Sequence, residues 1–337
     1  MRLCVFASSL FVLVALAAGC SNEPVALVGM TMGTTYSVKV DRLPSGVDAK
    51  SLQSEIDARL ELVNDQMSTW RDDSELSRFN AHDGIDWFPV SAATAKVVAA
   101  ARDISEQSGG AFDATVMPLV NLWSFGPEAR PQKIPTDEEL AAVRGHVGWR
   151  KLHVRDDPPA LKKDDPRLAV DLSAIAKGYG VDVVAEYLDE LKVAGYMVEI
   201  GGEVRTLGNK PDGGAWRIGI EAPLDDVRQV YDALELTGSS LATSGNYRHY
   251  FLEGGKRYSH TIDPRTGRPI EHRLASVSVV ADDCMTADAL ATTLMVLGPD
   301  AGYDWAKKHD LAALFLVGDG EQFEKKATPR FERRFGE

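Results

Sequence analysis

The stretch Ala281-Asp282-Asp283-Cys284-Met285-Thr286-Ala287-Asp288-Ala289-Leu290-Ala291-Thr292-Thr293 follows a strand-like run, Ala275 to Val280, and opens a helical pattern that ends near Gly298. A strand passing straight into a helix, late in the chain, is the unit around which the rest is arranged. On that helix Asp288 and Thr292 lie four residues apart and share a face. A carboxylate and a hydroxyl pointing the same way are hard oxygen ligands of the kind Mg²⁺ takes, one or two at a time, leaving its other positions to water and phosphate. The same spacing also suits a solvated Asp and a Thr bonded to its own helix backbone, and spacing alone does not separate the two.

The chain has 337 residues, enough for one large or two ordinary domains, and a formal charge of -13. Such a chain is a poor partner for nucleic acid, and it repels a phosphate-bearing ligand at long range, so a ligand of that kind needs a local cation. At the N-terminus Arg2 precedes an apolar run, Leu3 to Leu16, and then Ala17-Ala18-Gly19-Cys20. One basic residue, a short apolar core and small residues describe an export signal and not a membrane span. With the cysteine at the cut it resembles a bacterial lipoprotein signal, which implies a signal over residues 1–19 and lipid on Cys20; an ordinary signal peptide is the alternative. Residues 20–29 then read as a lipid-anchored tether, and 30–337 as the working domain. Of three cysteines only Cys284 would remain free in the fold, and a small buried residue is the simplest reading of it.

Working along the domain, Thr34, Tyr36, Val38 and Val40 alternate as in a strand, entered through Thr31-Met32-Gly33. Leu52, Ile56, Leu60, Val63 and Met67 step as the buried face of a helix near Ala49 to Gln66. The polar stretch Met67 to Asn80 keeps two aromatics, and Trp70 there can stack on a flat ring or pack beneath the loop. Ser91 can cap a helix that stops at Gly109-Gly110, just before Ala111-Phe112-Asp113, where Asp113 is by default a turn residue. Thr136-Asp137-Glu138-Glu139 carries a capping box. Asp156 to Pro166 reads as a surface hairpin or loop, and Leu168 to Asp171 as a strand feeding a helix that runs from the Ser173 to Gly180 region to Val193. Met197 to Ile200 and Val204 to Leu207 flank the turn Gly201-Gly202-Glu203, and Trp216 to Ile220 with Leu234 to Leu236 continue the sheet. Leu311 to Val317 is a buried strand, and the tail from Glu321 is basic surface. The whole reads as an α+β unit of mixed or antiparallel sheets with packed helices, with the option of two lobes.

Taken together the motifs resemble the FAD:protein FMN transferase family, the ApbE-like proteins. The resemblance runs through Met32-Gly33-Thr34, Met67 to Asn80, Gly110 to Asp113, Asp171 to Gly180, Gly201-Gly202-Glu203 and Ser244 to Tyr247. It continues through His260-Thr261-Ile262-Asp263-Pro264 and Ala287 to Thr292. Each piece is weak, and eight in order are specific. The resemblance implies a T-fold-related architecture around a central flavin site. It implies Mg²⁺ held by Asp288, Thr292 and the main-chain carbonyl of Ala174, and FAD contacts at Met32, Trp70, Ala111, Phe112, Asp113, Asp171, Lys177 and Ile262. Trp70 stands where tyrosine is frequent, and Lys177 where some relatives carry glutamate. The implied reaction moves the FMN half of FAD to a Ser or Thr hydroxyl of a target protein and releases AMP, with His260 as the base. Implied acceptors are exported parts of membrane redox complexes such as the sodium-pumping NADH:quinone reductase and its Rnf relatives, which puts the protein in the bacterial envelope facing the periplasm. Two other readings stand beside this one: hydrolysis of FAD to FMN and AMP, and a lipid-anchored flavin carrier without chemistry, which needs no His260.

Overall fold

The computed structural model describes residues 23–128, 131–224, 227–319 and 322–336. The signal segment and Cys20 lie outside the described residues. Among these residues no helix is long and apolar enough to cross a membrane.

The frame is one eight-stranded antiparallel sheet. Its strands are β1 (Val25–Thr31), β2 (Thr34–Val40), β3 (Tyr196–Ile200), β4 (Glu203–Leu207), β5 (Ser239–Gly245), β6 (Leu274–Ala281), β7 (Ala312–Asp319) and β8 (Gln322–Ala327). Their order across the sheet is their order in the chain. Everything else is inserted between neighbours, so a site assembled from distant segments still rests on adjacent strands. Four long helices serve the frame: α1 (Ala49–Met67), α2 (Ala92–Gln107), α3 (Ala176–Glu190) and α4 (Cys284–Leu297).

Both sheet faces are covered, which explains why β6 is buried along nearly its whole length and reads as an unbroken apolar run. On one face Val38, Val198 and Ile200 meet Leu52, Ile56 and Leu60 of α1 and Val181 and Val184 of α3. Further along that face Val277, Val279 and Phe315 meet Val97 and Val98 of α2 and Leu290 and Leu294 of α4. On the other face the hairpin Trp216–Glu221/Val230–Leu236 and Phe331 close over Val204, Leu241, Val280 and Leu314.

Several expectations hold. All five periodic apolar residues of α1 are buried, Ser91 caps α2, and the Thr136 capping box forms with Glu139. Cys284 is fully buried.

Four expectations need correction. Val25–Thr31, most of it assigned to the tether, is β1, paired to β2 along its full length through the two-residue turn Met32-Gly33. Both turn residues have positive φ, the conformation a tight hairpin requires. Leu168 to Asp171 is buried but is not a strand: the Val170 N–H goes to the Asn80 side chain and the Asp171 N–H to the Ala114 carbonyl, so no ladder forms. The hairpin at Trp216 and Leu236 lies on the main sheet and does not extend it. The tail forms β8 and a final helix, Pro329–Phe335, whose Phe331 is 2% exposed.

Helices α3 and α4 hold the site, and they cap each other. Asp182 of α3 accepts the Cys284 N–H (3.0 Å) and the Met285 N–H (2.8 Å) at the start of α4. Asp288 of α4 accepts the Gly178 N–H (3.0 Å) in the first turn of α3, whose own N-cap residue, Ile175, supplies no side-chain bond. Each carboxylate answers backbone donors that a helix start leaves unpaired and meets the positive end of the helix dipole. The exchange requires glycine at 178, because a Cβ there would sit 2.3 Å from the Cys284 carbonyl oxygen. Alanine would gain about 1 kcal/mol in helix preference, yet backbone atoms on the facing helix cannot swing aside. Overpacking of this kind costs about 1–3 kcal/mol before the weakened Asp288 bond is counted. We therefore expect Gly178→Ala to lower unfolding free energy by about 2 kcal/mol, seen as a lower urea midpoint with an unchanged slope. An unchanged midpoint would show that the two helices can separate at no cost.

Candidate functional site

The turn between β1 and β2, the end of α1 and the start of α3 enclose a cavity of about 640 Å³. Met32, Asn64, Met67, Trp70, Ser173 and Lys177 are among its walls. Met32 is fixed on the hairpin turn, and its methyl group lies over Gly180, where a Cβ would approach it to 2.8 Å. Asn64 reaches back to Thr31 at 3.0 Å, tying α1 to the same hairpin. Trp70 is 69% exposed. Of the two readings open for it, packing beneath a loop is excluded, and an indole offered at a cavity mouth is what the structure shows.

At the inner wall stands a charged cluster. The Lys177 ammonium is 2.6 Å from Glu203 Oε1, and Asp288 lies close enough to feel the same positive charge. Glu203 and Asp288 are 3% and 5% exposed. Burial holds both carboxyls above the usual range, although Lys177 opposes this. Burial would depress Lys177, but the two carboxylates outweigh it and hold its ammonium well above the ordinary lysine value. Two buried acids thus share one base behind the cavity wall. A second pair, Arg205 to Asp182 at 2.7 Å, supports the cluster from β4.

His260 follows the strand Lys256–Ser259. Its N–H donates to the His249 carbonyl at 2.9 Å, and its Nδ1 lies 3.0 Å from the same oxygen. A carbonyl only accepts, so Nδ1 carries the proton and Nε2 is left with a free lone pair. The ring is half-buried, edge-on to His249 and Phe125. Burial, then the His249 ring, then the charge of Lys177 lower its pKa from 6.5 to about 4. Lys177 thus bears on both the acid cluster and His260.

The other sequence-predicted residues form an outer ring. Ala111, Phe112 and Asp113 are buried where α2 stops, after Gly109 and Gly110 turn the chain with positive φ. Both oxygens of Asp113 are engaged: Oδ1 accepts the Thr115 N–H and hydroxyl, and Oδ2 the Trp149 N–H at 2.9 Å. The Asp171 N–H meets the Ala114 carbonyl, and its Oδ1 accepts the N–H and hydroxyl of Ser173, so this segment leads from the Asp113 turn to the cavity wall. Ile262 packs with Leu119, Trp123 and Leu140. Ala174 and Thr292 are half-buried, Thr292 one turn beyond Asp288 on α4. Met32, Trp70 and Lys177 therefore share the cavity; Asp288 is bonded to Gly178, the residue after Lys177; His260 is not on the cavity wall; Asp113 serves its own turn.

Glu203, Asp182 and Arg205 escaped the sequence reading as members of the site. A signal existed for Asp182, an acid inside the apolar run Val181 to Ala185. Glu203 had none beyond its place after two glycines.

Residues 32–315 match the family model of the ApbE family. The FAD:protein FMN transferase of Vibrio cholerae serotype O1 is 51% identical over 319 residues, covering 94% of this chain and 95% of that protein. The Haemophilus influenzae FAD:protein FMN transferase is 45% identical and covers 94% of this chain and 93% of its own length. Among solved structures, the flavin transferase ApbE from Vibrio cholerae superposes with a TM-score of 0.85 at 50% identity, over 93% of this chain and 99% of that one.

Proposed function

This chain belongs to the ApbE family and is an FAD:protein FMN transferase, and on that premise we propose how its residues carry the transfer. The observation that supports the reading is the cavity behind Trp70 with Lys177 on its wall and the buried Asp288 bonded to the next residue, Gly178.

Asp288, Thr292 and the Ala174 carbonyl would hold Mg²⁺. Among the described residues no three His, Cys, Asp or Glu side chains gather as a ligand set. A hard cation that keeps several waters needs fewer protein groups. The donors fit it: one Asp288 oxygen is committed to Gly178, and the cluster carries more negative than positive charge in a buried place. When bound, the ion neutralises diphosphate charge.

Trp70 and Met32 receive the flat part of FAD, and Lys177, which with Arg71 is a cation on the cavity wall, faces its phosphates. The acceptor hydroxyl attacks the phosphorus of the FMN half. A new O–P bond forms, the bridge between the two phosphates breaks toward AMP, and the hydroxyl proton passes to His260 Nε2. Water in place of the hydroxyl would give FMN and AMP. The acceptor is an exported segment of a membrane redox complex bearing a Ser or Thr, of the sodium-pumping NADH:quinone reductase or Rnf kind. The signal and Cys20 would anchor the enzyme in the envelope, facing the periplasm.

Incubating the enzyme with FAD, Mg²⁺ and an acceptor domain should add one FMN to the acceptor's mass, and chelator should abolish the gain. AMP formed equally fast without acceptor would favour hydrolysis. His260→Ala should retain FAD affinity while transfer falls about 10²–10⁴-fold; transfer at the unaltered rate would exclude His260 as the base. Because the neutral imidazole is the active form and its pKa is lowered to about 4, kcat/KM should stay level as pH falls through 6.5 and decline only toward that value. The folded state resists protonation that the unfolded chain accepts, so this histidine's contribution to stability is lost as pH drops from 6.5 toward 4. Cys20→Ala should move the protein from the membrane fraction to the soluble one.

A further inference from the structure

One buried acceptor beside the reaction site has no donor. Glu203 Oε1 takes the Lys177 ammonium, whereas Oε2 is shut away from solvent and meets no hydrogen-bond partner among the described residues. Buried polar atoms are nearly always satisfied, so an orphan at a ligand site marks where a donor arrives with the ligand. Gly201 and Gly202 hold the β3–β4 turn with positive φ, and a Cβ at Gly201 would press on Thr34 at 2.9 Å.

The position of the orphan identifies the donor. Lys177 and Gly178 are consecutive; the first grips Glu203 and the second grips Asp288. The two carboxylates therefore flank one turn of α3, and the charge of Asp288 is felt at Glu203. The Lys177 ammonium already occupies Glu203 Oε1 at 2.6 Å, which leaves Oε2 as the oxygen open to a further donor. Mg²⁺ keeps several of its waters, which are strong donors, and such waters are commonly steered by a carboxylate outside the coordination sphere.

We propose that Glu203 Oε2 accepts a hydrogen bond from a water carried on the magnesium ion at Asp288, which makes Glu203 a positioning residue for the metal's hydration shell. The inference rests on the magnesium reading above. It assigns the Gly-Gly-Glu turn a task distinct from forming a hairpin.

The test is calorimetric titration of MgCl₂ into the full chain without FAD, for the wild type and Glu203→Gln, together with melting of both proteins with and without MgCl₂. The amide keeps the size of the side chain but draws a metal-bound water far less strongly. Magnesium affinity should fall about 10–100-fold, and the magnesium-dependent rise in melting temperature should shrink with it. Unchanged affinity, whatever happens to the metal-free melting temperature, would reduce Glu203 to an anchor for Lys177 and overturn the proposal. Complete loss of binding would make Glu203 a direct ligand and overturn it as well. If the wild type itself shows neither binding heat nor a melting shift, the magnesium reading fails first, and this inference falls with it.

Discussion

The structure depends on an exchange between two helix starts. Asp182 leaves α3 to satisfy the first amides of α4, and Asp288 leaves α4 to satisfy an amide of α3, at bonds of 2.8–3.0 Å. Each acid near a helix N-terminus contributes about 0.5–2 kcal/mol, but the geometric consequence is larger than the energetic one. Neither helix can shift along the other without orphaning a buried carboxylate. The Asp288 face of α4 and the lysine on α3 are thereby held in one register.

The exchange also explains the burial of so much charge in this corner. Burial pushes Asp288 and Glu203 toward their neutral forms, and it does the same to Asp182. Lys177 opposes that shift at the first two without cancelling it, and Arg205 opposes it at Asp182. Removing one partner from such a set leaves an uncompensated buried charge, so the five residues Lys177, Asp182, Glu203, Arg205 and Asp288 behave as a unit. The strand order reinforces this: β4, which carries both Glu203 and Arg205, is separated by β3 alone from β2, whose hairpin with β1 carries Met32.

Much of this was legible in the chain. The periodic face of α1, the caps at Ser91 and Thr136 and the oxygen pair on α4 are local signals, set by neighbours three or four residues apart. What escaped depends on partners far away in sequence. Leu168 to Asp171 looks like a strand by composition, but its amides go to Asn80 and Ala114, and no local pattern reveals that. Trp216 to Leu236 alternates correctly for a sheet, yet alternation cannot tell whether a hairpin joins a sheet or lies across it. The tail reads in sequence as basic surface. In fact Lys325 and Lys326 sit on an edge strand, where charge discourages pairing with other chains, and Phe331 alone supplies the buried anchor. For the site, motif resemblance located single residues, whereas the Lys177–Glu203 contact needs a hairpin and a helix to be juxtaposed in space.

His260 shows how the same charge network sets reactivity. A histidine held near pKa 4 is uncharged at neutral pH and is always ready to accept a proton, but it is a weak base. Two of the causes that weaken it are burial and the positive charge of Lys177. The tautomer follows from a backbone carbonyl and does not depend on another titrating side chain. On the reading proposed above, an anionic diphosphate at Lys177 would offset that positive charge and strengthen the base. Basicity would then be supplied partly by the substrate, tying proton abstraction to the presence of the phosphorus under attack.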